Sequence, residues 1–232
     1  MRTLSLCIPT WERTKMTLES FAKVYNDPRI DEIVIVDDCS SIECFKELEK
    51  GTSQMGKVKL FRNSFNYDCY RNKHQAVQLT TNEFIILLDS DNVIDTDYLD
   101  RIFEIEKWDE ETIYTPSFAK PHFDFRQYEG LELTKENIFL WINKPNVEVM
   151  LNAANYFVNR LFYLSVWDGS VDPVTSDSIY QCYSWLKKGL KIKVVKGLEY
   201  EHRIHNQSHY KLNNAKTPVN FHKMILNKLN NM

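Results

Sequence analysis

Glycine is scarce in this 232-residue chain: only Gly51, Gly56, Gly130, Gly169, Gly189 and Gly197 occur, and no two form a GxG pair. A GxGxxG dinucleotide loop and a GxxxxGK phosphate loop are therefore excluded, because each needs glycines where backbone closes on a pyrophosphate. Any bound nucleotide must have its phosphates held by something else. Long apolar runs are also missing. Phe84 to Leu88, as long as any, has strand length, and the stretch after Arg2 stops at Pro9, too short for a signal segment or a membrane span. Positive charge is not in excess: 29 Lys and Arg against 32 Asp and Glu leave a net charge of -3, so no global field favours nucleic acid. The five cysteines (Cys7, Cys39, Cys44, Cys69, Cys182) are odd in number and contain no CxxC pair. They read as reduced thiols, which predicts a soluble, cytoplasmic chain, with peripheral attachment to a membrane left open.

What is present is enough apolar residue, 43%, for one substantial core. Thr3 to Ile8 reads as a strand, and Leu18, Phe21, Ala22 and Tyr25 recur at the spacing of one buried helix face. Glu32 to Val36 and Val58 to Phe61 read as strands around a helix capped by Ser40 or Ser41. A helix over Arg71 to Leu79, the strand Phe84 to Leu88, a helix through Leu99 to Phe103 and a strand at Thr112 to Thr115 follow. Strands that are apolar throughout and alternate with helices predict a parallel sheet covered on both faces. Ser117 to about Lys144 is aromatic-rich and reads as an irregular segment plus one helix; its rings, between Phe118 and Trp141, suit core packing or stacking on a sugar face. Further on, Ile179, Cys182, Tyr183 and Leu186 mark a helix ended by Lys187-Lys188-Gly189. Lys191 to Val195 is a strand, and His222, Ile225, Leu226 and Leu229 mark a last helix.

Two acidic clusters, Asp37-Asp38 and Asp89-Ser90-Asp91, follow predicted parallel strands, where open α/β sheets bind ligands. A DxD after a strand also suits a solvated loop or a helix cap. Its chemical reading is a hard divalent cation, Mn²⁺ or Mg²⁺, bridged by carboxylates to a diphosphate.

The order Ile8-Pro9-Thr10, Val34 to Ser40, Arg71-Asn72 and Leu87 to Asp91 resembles the family 2 glycosyltransferases of the GT-A fold. Asp168-Gly169-Ser170-Val171-Asp172 with Ser176-Asp177 resembles that family's GGFDE and ED segments, and Glu201-His202-Arg203 its late metal-ligand histidine. Ser170, Pro173 and Ser176 depart from those patterns. The resemblance implies an α/β GT-A fold with a mixed, mainly parallel sheet flanked by helices. It implies a donor site of Pro9, Thr10, Asp37, Asp38, Arg71, Asp89, Ser90 and Asp91, a metal held by Asp91, Asp89 and His202, and Asp177 as catalytic base. The reaction it implies is metal-dependent, inverting transfer from a nucleotide-diphospho-sugar, UDP-sugar by default with GDP- and dTDP-sugars open. The acceptor would be a hydroxyl of a carbohydrate or glycoconjugate, in glycan biosynthesis.

Other readings stay open on the residues alone. Asp177 also suits a helix N-cap and Asp172 competes as base; Asp37 suits a strand-end cap and Arg71 a solvated helix face; His205 competes with His202, and with His209 these suggest zinc, without a fourth ligand at a zinc spacing. A sugar nucleotidyltransferase would need a glycine-rich loop where Pro9 to Arg13 stand, and a non-catalytic nucleotide-sugar or glycan-binding module is the alternative from another class. The expected layout is one catalytic domain: a nucleotide-sugar half over 1–92, an acceptor half over 93–210 and a C-terminal helix over 211–232.

Overall fold

In the computed structural model, which describes residues 2–206, 208, 211 and 219–232, the first half is built from β1 (Leu4–Thr10), α1 (Thr14–Phe21), β2 (Ile30–Asp37), α2 (Ile42–Thr52), β3 (Val58–Arg62), α3 (Asp68–Leu79) and β4 (Phe84–Leu87). There follow α4 (Thr96–Phe103), β5 (Thr112–Lys120), β6 (Phe123–Asp124), β7 (Glu132–Leu133), α5 (Ile138–Trp141) and α6 (Val147–Asn152). The chain continues through β8 (Tyr156–Asn159), α7 (Arg160–Ser165), α8 (Asp177–Lys187), β9 (Lys191–Glu201) and α9 (Val219–Asn230). The strands form one sheet in the order β3-β2-β1-β4-β8-β5-β9-β7, with β6 on β5. The longer registers, β1 with β2, β2 with β3 and β5 with β9, are parallel, while β8 runs antiparallel between β4 and β5. β9 continues beyond the expected Val195 to Glu201.

Burial explains the strand compositions. β1 and β4 are buried at every position, so both faces need apolar side chains; β3, at the sheet edge, alternates half-buried and exposed residues. Glu32 is the exception inside β2, only 3% exposed. Ser5 Oγ donates to it at 2.6 Å, Thr81 Oγ1 at 2.9 Å and Lys59 Nζ at 2.5 Å. Burial opposes its charge, yet Lys59 and these hydrogen bonds bring its pKa down to about 2.

The stretch from Ala153 to Leu164 divides into β8 and α7 because Asn159 ends the strand and caps the helix, accepting from the Leu161 and Phe162 amides. Gly189 closes α8 at φ 85°, the left-handed position reserved for glycine there. All five cysteines are free. No helix among the described residues is long and apolar enough to cross a membrane.

Candidate active site

The register of the parallel strands sets the rim. Thr10 lies beside Asp37, the Asp38 amide donates to the Thr10 carbonyl at 2.8 Å, and the Leu88 amide to the Cys7 carbonyl at 2.9 Å. Both acidic turns thus leave the sheet at one edge, next to β1, where the chain crosses to opposite sides. A cleft of about 1180 Å³ opens there. Because glycine is scarce, other residues make its sharp turns: Glu12, Cys39, Asp68, Asn155 and Val174 all hold positive φ, and each lines the cleft or stands next to a residue that does. Val174 at φ 49° is the strained one, since a β-branched side chain disfavours that region.

Of the expected donor residues, Pro9, Thr10, Asp38, Asp89, Ser90 and Asp91 line the cleft. Asp38 Oδ1 accepts from Asn63 Nδ2 at 2.8 Å and the Tyr67 amide at 2.9 Å, which fixes the carboxylate; burial raises its pKa. Asp37 turns inward. It is 1% exposed, accepts from the hydroxyl and amide of Ser40, and pairs with Arg62 Nε at 3.4 Å, which is the strand-end cap. Arg71 does not reach the cleft: it is exposed, and its Nη2 donates to the Gly169 carbonyl at 3.4 Å.

A residue two positions on takes the central place. Lys73, 4% exposed, puts Nζ 2.7 Å from Asp177 Oδ2, 3.1 Å from Asp89 Oδ1 and 3.2 Å from Ser178 Oγ. Burial disfavours its charge, but Asp177 and Asp89 hold the ammonium protonated well beyond the usual lysine range. Burial likewise raises Asp89, against the pull of Lys73. Asp177 is the first residue of α8, and the cap position falls on Ser176, whose side chain makes no cap bond. The N-cap reading of Asp177 therefore gives way to an inward carboxylate.

Asp91 meets the Arg13 guanidinium, Nη1 at 2.6 Å, and the His205 imidazole, Nε2 at 3.0 Å. Burial works against its charge, but His205 and Arg13 hold its carboxyl below the usual range. Arg203 secures this turn, with Nε 2.5 Å from the Asp91 carbonyl and Nη1 2.6 Å from Glu19. His202 also lines the cleft, but its ring packs against Phe123 and His122, and burial lowers its pKa. His209 lies outside the described residues.

No group of three or more His, Cys, Asp and Glu converges to hold a metal among the described residues. The donors present nevertheless fit a Mn²⁺- or Mg²⁺-type site completed by phosphate. Asp91 Oδ2 and His205 Nε2 are 3.0 Å apart, the separation of adjacent ligands about 2.1 Å from an octahedral ion. The Nδ1 atoms of His202 and His205 are buried without a hydrogen-bond partner.

The sheet order, the crossover at β1 and the acidic turns on one rim define a GT-A fold, the architecture of nucleotide-diphospho-sugar transferases. The sequence profile of glycosyl transferase family 2 matches residues 5–164, and the chain belongs to that family of glycosyltransferases. No curated protein matches it. Among solved structures, S. aureus TarS 1–349 superposes with a TM-score of 0.66 at 16% identity, covering 98% of this chain and 70% of that one. The same TarS segment in complex with UDP gives 0.65 at 15% identity, over 98% and 70%. Its complex with UDP-GlcNAc gives 0.65 at 15%, over 89% and 60%.

Proposed function

We propose that this chain transfers a sugar from a nucleotide-diphospho-sugar, UDP-sugar by default, to a hydroxyl of a carbohydrate or glycoconjugate, inverting the anomeric centre. The observation that carries the reading is the meeting of Asp89 and Asp177, 88 residues apart in sequence, on one buried ammonium within one cleft. The nucleotides in the TarS complexes support a uridine donor. Residues 1–92 supply the nucleotide side and residues 93–210 the acceptor side, and the C-terminal part over 211–232 brings His222 of α9 to the cleft.

Asp38, already fixed by Asn63 and Tyr67, is the acceptor for base and ribose donors, with Thr10 beside it. Asp89 and Ser90 border the sugar. Asp177 takes the proton of the attacking hydroxyl as the new bond forms, and general-base catalysis of this kind contributes about 10²–10⁴-fold. Lys73, with Nζ 2.7 Å from Asp177 Oδ2, keeps that carboxylate aimed. Asp91 and His205, with Asp89 and with His202 as the competing imidazole, would hold Mn²⁺ or Mg²⁺; when bound, the ion supplies Lewis-acid stabilisation of the leaving diphosphate.

Asp177→Asn tests the assignment. It is expected to lower transfer by about 10²-fold or more while binding of UDP-sugar, followed by calorimetry, is retained. Unchanged transfer removes Asp177 as the base.

A further inference from the structure

Beside Asp177 stands a second polar chain that the reaction above does not use. Ser176 Oγ lies 2.8 Å from His222 Nδ1, and His222 Nε2 lies 2.7 Å from Glu148 Oε1. The three residues come from the turn before α8, from α9 and from α6, and all line the cleft. Ser176 is 1% exposed, whereas the His222 and Glu148 side chains are 26% and 48% exposed. The chain therefore runs from a buried hydroxyl next to the base out to water.

The chemistry of the atoms sets its direction. An ionised carboxylate only accepts, so Glu148 requires the proton on His222 Nε2. In that tautomer the ring presents Nδ1 as an acceptor to the Ser176 hydroxyl. This is the carboxylate, imidazole and hydroxyl order of a serine triad with the ring reversed end for end. A bond that merely pinned α9 to its neighbours would have no reason to end on a cleft hydroxyl adjoining the base.

We infer that Ser176, His222 and Glu148 form a proton relay that carries the acceptor proton from Asp177 out to water, an inference that rests on the glycosyl-transfer reading. The acceptor oxygen bonds to the anomeric carbon as the bond from that carbon to the diphosphate breaks, and its electron pair leaves on the diphosphate. The acceptor proton passes to Asp177 and from it to Ser176 Oγ, the serine proton passes to His222 Nδ1, and Glu148 steadies the imidazolium. The imidazolium then returns its proton to water. Asp177 remains the catalytic base; Ser176, His222 and Glu148 act through it.

The test uses the full chain with UDP-N-acetylglucosamine as donor and glycerol or water as acceptor, reading UDP release. Ser176→Ala, His222→Gln and Glu148→Gln are expected to lower turnover about tenfold or more with donor KM unchanged. Added imidazole is expected to restore part of the turnover of His222→Ala, which a purely structural bond would not allow. Variants with native turnover, a loss confined to donor KM, or no rescue by imidazole overturn the relay alone. Absence of both UDP-sugar binding and UDP release in the unsubstituted chain overturns glycosyl transfer and the relay together.

Discussion

Replacing Lys73 with Met removes the buried ammonium while keeping a side chain of similar length. Asp177 and Asp89, 2.7 Å and 3.1 Å from Nζ, then face each other across an apolar group in a buried site. Breaking a buried ion pair by removing one partner costs about 3–5 kcal/mol, a large share of the roughly 5–15 kcal/mol that holds a domain folded. The carboxylates have one escape: to take up a proton. A carboxyl whose folded pKa lies above its unfolded value binds a proton on folding, so the folded state loses ground as pH rises. Urea unfolding of the native chain and Lys73→Met at pH 5 and pH 8 is therefore expected to show the larger deficit at pH 8. A deficit below about 1 kcal/mol, well under the range for such pairs, or an equal deficit at both pH values, would refute the bridging role of Lys73.

Two further outcomes follow from the geometry. Glu32 has its folded pKa depressed to about 2 from 4.5; its contribution is full above pH 4.5 and lost as pH falls towards 2. It amounts to about 2 kcal/mol after screening at the half-exposed Lys59 is allowed for. Glu32→Gln should flatten that limb of the acid unfolding curve, and an unchanged curve contradicts the assignment. His205→Ala should weaken Mn²⁺ binding in the presence of UDP more than His202→Ala does, because His205 is the imidazole at Asp91. The reverse order in a calorimetric titration makes His202 the ligand.

The sheet was readable in sequence where burial leaves little choice. β1, β2 and β4 need apolar residues on both faces, and the carboxylates that close β2 and follow β4 stand out against such runs. Arg71 and Lys73 show where local reading stops. At 100° per residue, positions two apart on a helix point about 200° apart, so when Lys73 faces the cleft Arg71 faces solvent. Nothing local says which of the two is turned inward; the packing of α3 on β1 and β2 decides it. Arg13 and the chain of Ser176, His222 and Glu148 were illegible for a related reason. Their partners lie 78, 46 and 74 residues away, and only the folded chain brings them together. Scarcity of glycine excluded a glycine cradle, and the positive-φ turns at the rim fall on Glu12, Cys39, Asp68, Asn155 and Val174.

The central claim, a nucleotide-sugar held on this rim, is tested most directly by the thermal unfolding midpoint of the chain with UDP-, GDP- and dTDP-sugars, each with and without Mn²⁺. A ligand at a hundredfold excess over its dissociation constant adds about 2.7 kcal/mol of apparent stability. The account predicts a rise in midpoint with one of these donors, largest when Mn²⁺ is present and lost in Asp91→Asn. No shift with any nucleotide-sugar, with or without the metal, would contradict it.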